Sequence, residues 1–519
     1  MRPQPPLFVI ALLLASPLSA AIDEIAEQNP TTKKPAENAS VISEKNVNSI
    51  EVDAADDQPM AEAIEAYNKG EHQAAVKLAQ ALAAEGNADA LFLMGVAYST
   101  GSGITASREL AIKSLRESSK AGNKEAPYRL ARILIAGGEE DRQEARSILE
   151  TLSKDDQGEA ALLLGEGALQ GWLEGEPDFD KANHWWTQAS DKGSDVATLA
   201  RARLLDGEFG FPEKRDPNAA FKLYQKAANL GNGVGMVAVG SRLLNGEESI
   251  RDESQGREWL AKAIADGQVS AYLALGDFEE LVEKNDEAAY SNYRKGAEAG
   301  QAECMIKVAS FLTDARGGQK KDPKEALEWL RKAARAGSSV GHFKSAEILL
   351  KGEGLEIVEG YAHLVAAAES GLVDVQNEVG LFYLSGRLGV RDATAAASWF
   401  SRSASGGYPQ GAHNLGVLYE QGLGVPKNFD HAGRLYTQAA NAGHAEASTR
   451  LGRLYAAGLG TKQDQSRAWA LFSLAVKRGD ENAKAQLGEL TSMLTDEQLA
   501  AGRKILAELS EEKKQPSSE

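Results

Sequence analysis

The sequence predicts an all-α protein: an α/α solenoid, a right-handed superhelix of about twelve helix pairs closed by a C-terminal capping helix. Three observations predict it. A unit of 33 to 38 residues recurs in register along most of the chain. In its clearest copy, residues 408–443, Leu415, Leu418 and Tyr419 recur at helical spacing. At 519 residues the chain is also too long for one compact core, since cores stop growing at roughly 250–300 residues.

Taken in order, the chain opens with the pattern of a secretory signal. Arg2 supplies the positive start, residues 7–15 (LFVIALLLA) form a short apolar core, and SPLSAA offers cleavage after Ala20 or Ala21. The apolar run is too short to span a membrane, and no cysteine follows it for lipid attachment. Residues 1–21 are therefore expected to be a signal peptide. Residues 22–59 are polar and acidic, with no aromatic residue and no helical period, and are expected to be a disordered linker.

The repeats are expected over residues 60–509. Each unit reads as a first helix, a glycine-bearing loop, a second helix and a terminal glycine, because glycine enters the left-handed helix cap cheaply. The units end at Gly86, Gly122, Asp156, Gly193, Gly231, Gly267, Gly300, Gly337, Gly371, Gly407, Gly443 and Gly479. Asp156 replaces glycine, but Ala160, Leu164 and Gly165 hold the register there. Gly411 and Gly416 lie inside a helical pattern, where glycine costs about 1 kcal/mol against alanine. Close approach of a neighbouring helix is the expected compensation. Between Gly122 and Gly371 the loops vary in length, which chain entropy tolerates at little cost. Thr495, Asp496 and Glu497 open a last helix, read as the cap over residues 495–509, and residues 510–519 are expected to be a frayed tail.

The unit resembles the Sel1-like repeat, a longer-looped relative of the tetratricopeptide repeat. The resemblance rests on Gly411, Leu415, Gly416, Tyr419, Gly422, Gly424, Val425, Ala432, Tyr436, Ala439, Ala440 and Gly443. The next copy repeats it with Ala447, Leu451, Gly452, Tyr455, Gly458, Gly460, Ala468, Phe472 and Gly479. The resemblance implies a helix-pair solenoid and a role as an assembly scaffold, regulator or adaptor. Cysteine-rich members with reported activity on penicillins carry a disulfide in each repeat. Cys304 is the only cysteine here, so that activity is not carried over.

The residues offer no chemistry of their own. The formal net charge of -18 argues against a nucleic-acid partner. The seven histidines (His72, His184, His342, His363, His413, His431 and His444) are scattered over different units without metal-ligand spacing. The string at Gly231, Gly235 and Gly240 follows a helix, not the strand that a dinucleotide fingerprint needs, and the repeat register accounts for it. Cys304 stands where other copies carry Ala or Gly and reads as a buried small side chain. No catalytic residue, metal ligand or cofactor is assigned.

Aromatic residues are informative where they leave the register. Trp185, Trp259, Trp329 and Trp399 all lie eight residues before a terminal glycine and read as core or inter-repeat packing. Trp186 shares the slot of Tyr224, Tyr293 and Tyr436, and Trp469 is displaced. Trp172 and Phe209 fall in loops and are the candidate partner-binding residues, weighed against local loop packing. The function expected is a non-catalytic protein-interaction scaffold, periplasmic or secreted, with protein partners and no integral membrane segment in the mature chain. The alternatives are a periplasmic regulator of signalling or export, or a cell-wall glycan-binding protein or enzyme.

Overall fold

A computed structural model describes residues 58–511 apart from 155–157, 173–174, 247–249, 388 and 390. The expected signal segment, nearly all of the linker, the end of the tail and Asp156 lie outside the described residues. Every described element is helical, with twenty-six α-helices and one 3-10 turn. The helices fall into two compact units, with the boundary between Lys284 and Asn285.

The N-terminal unit holds thirteen helices, beginning with α1 (Gln58–Asn68), α2 (His72–Ala84), α3 (Ala88–Thr100) and α4 (Arg108–Lys120). They continue as α5 (Ala126–Ile135), α6 (Glu139–Leu152), α7 (Glu159–Gln170), α8 (Phe179–Asp191) and α9 (Asp195–Asp206). The unit ends with α10 (Pro217–Asn229), α11 (Gly233–Asn245), α12 (Glu253–Ala265) and α13 (Ser270–Leu281). The first helix thus starts two residues before Met60. The C-terminal unit also has thirteen, from α14 (Asp286–Glu298), α15 (Ala302–Asp314), α16 (Pro323–Arg335) and α17 (Ser339–Leu349). Next come α18 (Leu355–Glu369), α19 (Val373–Ser385), α20 (Ala393–Ser405), α21 (Pro409–Gln421) and α22 (Phe429–Asn441). The last are α23 (Ala445–Ala457), α24 (Gln465–Lys477), α25 (Ala483–Met493) and α26 (Asp496–Glu511). Within each unit, consecutive helices pack on one another, except that the terminal α26 folds back onto α24.

Local chemistry explains why the chain turns where it does. Every terminal glycine of the register that is described has positive φ. The residue after it then bonds back into the preceding helix: the His444 N–H donates to the Ala439 carbonyl, as Asn232 does to Ala227 and Ser338 to Ala333. At the other turn, Asp or Asn caps most of the second helices. Asp216, Asp252, Asp392, Asn428 and Asp464 each accept from the N–H three residues on. The cap residue's own N–H reaches back to the first helix, Asn428 to the Tyr419 carbonyl and Asp252 to that of Leu243. This clamp survives in the long loop before α10, where the Asp216 N–H reaches the Leu205 carbonyl, whereas Gly138 and Gly354 stand uncapped before α6 and α18.

Packing within a repeat rests on one recurrent fit. The space beside the helical glycine is filled by a large side chain of the second helix rather than by its backbone. A Cβ at Gly416 would fall 2.7 Å from the Tyr436 ring, and one at Gly452 would meet Phe472 at the same distance. Trp186 fills the corresponding space at Gly165 and donates its indole N–H to the Leu162 carbonyl at 3.0 Å. Gly411 instead lets α21 approach α20, where Ser403 and the Ala404 backbone would meet a Cβ. Gly424 combines positive φ with contact to the start of α20, where the Ala393 backbone leaves no room for a side chain. The loop of one repeat thereby locks onto the second helix of the repeat before it.

Candidate interaction surface

The first helices of the C-terminal unit carry an outward strip built by helical spacing. Counting from the preceding terminal glycine, positions three, seven, ten and fourteen are exposed or half-buried on α15, α19, α21 and α23. They are Glu303, Lys307, Ser310 and Asp314 on α15, and Asp374, Glu378, Leu381 and Ser385 on α19. On α21 they are Gln410, Asn414, Val417 and Gln421, and on α23 Glu446, Arg450, Arg453 and Ala457. The strip is polar and of mixed charge. In the N-terminal unit the same positions on α3 include Leu93 and Val96, both buried.

Just inside this strip, packing within and between repeats assembles polar nodes that the linear order does not suggest. The imidazole of His413, on α21, stacks on that of His444 with centroids 4.5 Å apart. Its Nε2 lies 3.7 Å from Glu446. His444 is the N-cap of α23, its Nδ1 accepting from the Ala447 N–H at 3.2 Å. Arg450 reaches Glu420, which also accepts from the Tyr436 hydroxyl. One repeat pair earlier, the Nδ1 atoms of His342 and His363 lie 2.9 Å apart, one donating to the other. Asn414 donates to Asn377 at 2.8 Å, and Thr449 donates to Asp480. Burial disfavours the imidazolium at all four histidines. It pushes His363 and His413 down to about 4, and holds His342 and His444 below their ordinary value. Burial, followed by the hydrogen bond to Glu420, likewise pushes the Tyr436 hydroxyl up.

The two loop aromatics are placed in the N-terminal unit, in different clusters. Trp172 is half-buried, lies over Gly167 and packs against the cluster containing Leu163 and Leu164. Phe209 is half-buried against Trp186, ring centroids 6.0 Å apart, with the Arg203 guanidinium 5.3 Å from its ring. Each ring thus makes contacts within its own chain. Trp185, Trp259 and Trp399 pack on the core of the preceding repeat, and the Lys262 and Arg402 cations cover the rings of Trp259 and Trp399. The Cys304 side chain is buried.

Among the described residues no group of three or more His, Cys, Asp or Glu side chains is suited to a metal ion. Nor is any described helix long and apolar enough to cross a membrane. The histidine pairs were not legible as pairs in the sequence. Their signal is positional: His413 is six residues past one terminal glycine and His444 one past the next. Those positions meet only when repeats stack.

A family model described as Sel1 repeat matches residues 88–123, 158–194, 199–232, 234–268, 269–301, 302–338, 373–408, 409–444 and 445–480, more than half of the chain. Three units outside those matches, α1 with α2, α5 with α6 and α17 with α18, are nevertheless built as helix pairs. A curated relative, chitin synthase regulatory factor 3 of Schizosaccharomyces pombe, is 26% identical over 273 residues, covering 50% of this chain and 29% of its own. An uncharacterised protein of Neisseria meningitidis serogroup B is 24% identical over 205 residues, covering 40% of this chain and 42% of its own. The chain therefore spans well under two thirds of the length of these relatives. Among solved structures, a protective antigen of uropathogenic Escherichia coli is 24% identical, with a TM-score of 0.46, covering 84% of this chain and 94% of that one. A Sel1 repeat protein from Oxalobacter formigenes is 22% identical, with a TM-score of 0.36, covering 69% and 93%.

Proposed function

Because the chain belongs to the Sel1 repeat family, we propose that it is a non-catalytic scaffold that holds a protein partner along the outward strip of first helices in residues 302–457. Sel1 repeat proteins are generally protein-interaction scaffolds, and repeat stacking supplies long surfaces suited to that work. The observation that carries the reading is the strip itself. Side chains that are mostly polar or charged stand open at the same four positions on α15, α19, α21 and α23, acidic on α19, uncharged on α21 and of both signs on α15 and α23. A surface of this kind favours orientation and selectivity in a partner of complementary charge pattern.

The N-terminal segment supports action in the periplasm or secreted space, after removal of residues 1–20 or 1–21. N-terminal sequencing of the protein from an envelope or culture fraction tests that part. The name of the fission-yeast relative, a regulatory factor, favours a second reading in which the scaffold acts on the activity of its partner.

The partner test is affinity capture from an envelope fraction, comparing the native chain with two charge-reversed variants. Asp374→Lys with Glu378→Lys alters the strip, whereas Glu287→Lys with Arg434→Glu alters exposed positions on second helices. A partner kept by the second variant and lost by the first supports the strip. Loss with neither variant, or with both, assigns binding elsewhere.

A further inference from the structure

A cavity of about 290 Å³ lies between α22, α23, α24 and α26, at the C-terminal end of the second unit. Its size is at the lower end of small-ligand pockets, about 300 Å³ and upward. Leu451, Leu471, Leu474 and Leu509 line it, with Arg467 and Arg478. Three of these leucines belong to the last helix pairs and are buried, while Leu509 comes from the terminal helix and closes one side. The cavity thus exists only because α26 lies across the last repeats.

The two arginines set its chemistry. Neither has a carboxylate within ion-pair reach among the described residues, whereas Arg434 and Arg450 on the neighbouring helices both do. Arg478 spends Nη1 on the Ala440 carbonyl at 2.6 Å and the Ser448 hydroxyl at 3.3 Å. No protein acceptor meets its Nε and Nη2 among the described residues, which leaves one edge of the fork for a planar acceptor. Arg467 is exposed, with its guanidinium 5.3 Å from the centroid of the Tyr455 ring. Burial without a compensating anion lowers the Arg478 value from its ordinary one.

We propose that this cavity binds a single-chain carboxylate amphiphile, its chain against Leu451, Leu471, Leu474 and Leu509 and its carboxylate on the open edge of Arg478, with Arg467 on the solvent side. The open edge of Arg478 presents two parallel N–H groups, which match the two oxygens of a carboxylate. Charge complementarity favours an anion over a neutral chain, because a bidentate guanidinium–carboxylate pair is geometrically specific.

The test is isothermal titration of the full chain with sodium decanoate, decan-1-ol and decyltrimethylammonium at low ionic strength, the two ions below their micelle concentrations and the alcohol below its solubility limit. Decanoate is expected to bind saturably, with the alcohol weaker by tenfold or more and the cation silent. Arg478→Gln is expected to weaken decanoate at least tenfold. Since Arg478 also holds the end of α22, Leu509→Trp provides a second variant. It fills the cavity from the terminal helix, and with unchanged circular dichroism it is expected to abolish binding. No decanoate binding by the native chain, equal binding of the alcohol, or undiminished binding to a folded Leu509→Trp protein each overturns the proposal. So does binding that appears only in a chain shortened to end at Glu511, which would give the site to residues 512–519.

Discussion

Two glycines of the same helix pair show how residue-scale physics divides by environment. Gly416 faces the Tyr436 ring, so Gly416→Ala must push the ring aside. The gain in helix propensity, about 1 kcal/mol, is met or exceeded by an overpacking cost of about 1–3 kcal/mol, and the variant is expected to lose up to about 2 kcal/mol. Gly433 lies in α22, where a Cβ would meet only Leu454 at 3.7 Å, so Gly433→Ala is expected to gain about 0.5–1 kcal/mol. Urea unfolding of the two variants checks both signs. The buried histidines give a pH signature at the same scale. With the folded value depressed, the unfolded chain takes up protons first as pH falls. Their contribution is complete above about pH 6.5 and is lost as pH falls toward 4. For His363 and His413 it is worth up to about 3 kcal/mol each, because every tenfold weakening of proton binding corresponds to about 1.4 kcal/mol. Glu446, Glu420, Arg450 and His444 face His413, and a protonated His444 can no longer cap α23 through Nδ1. The double variant His363→Gln with His413→Gln is expected to flatten the fall in thermal midpoint between pH 6.5 and 4. An unchanged slope would assign the acid sensitivity to other groups.

At the scale of the element, caps decide where helices begin. Asp464 accepts from the Arg467 N–H and donates its own N–H to the Tyr455 carbonyl. Asp464→Ala removes only the side-chain bond. It is expected to cost about 1 kcal/mol, seen as faster amide exchange in the first turn of α24. The terminal helix carries a reciprocal cap, with the Gln498 N–H on the Thr495 hydroxyl and the Thr495 N–H on the Gln498 side chain. Gly502 of that helix lies against the Trp469 ring, which accounts for a tryptophan displaced from the usual repeat slot.

For the whole molecule, stability in such an array is close to a sum of repeats and nearest-neighbour interfaces. A lesion in α21 is therefore expected to act locally. In the Gly416→Ala protein, hydrogen exchange is expected to rise in α21 to α24 and stay unchanged in α3 to α8. Uniform loss of protection along both units would indicate one cooperative block instead. The boundary between the compact units falls inside a repeat, in the short link between α13 and α14, where Lys284 adopts φ 55 without being glycine. The short GDFEELVEKNDEAA stretch marks this repeat in the sequence, yet its irregular spacing gives no sign of a unit boundary.

The sequence by itself determined the helix pairs, their register and their terminal glycines. Each depends on residues within one repeat: a terminal glycine and the apolar spacing before it. It also marked Trp186 and Tyr436 as sharing one slot. Tertiary structure alone decided what that slot is for, namely filling the space beside a helical glycine. It also decided that His413 meets His444 and His342 meets His363, which face of each first helix stays outward, and that Arg478 and Leu509 share a cavity. The physical reason is distance along the chain. Caps and periodicity are settled by the next few residues, whereas these encounters join residues some twenty to thirty positions apart and require knowing how the helices pack.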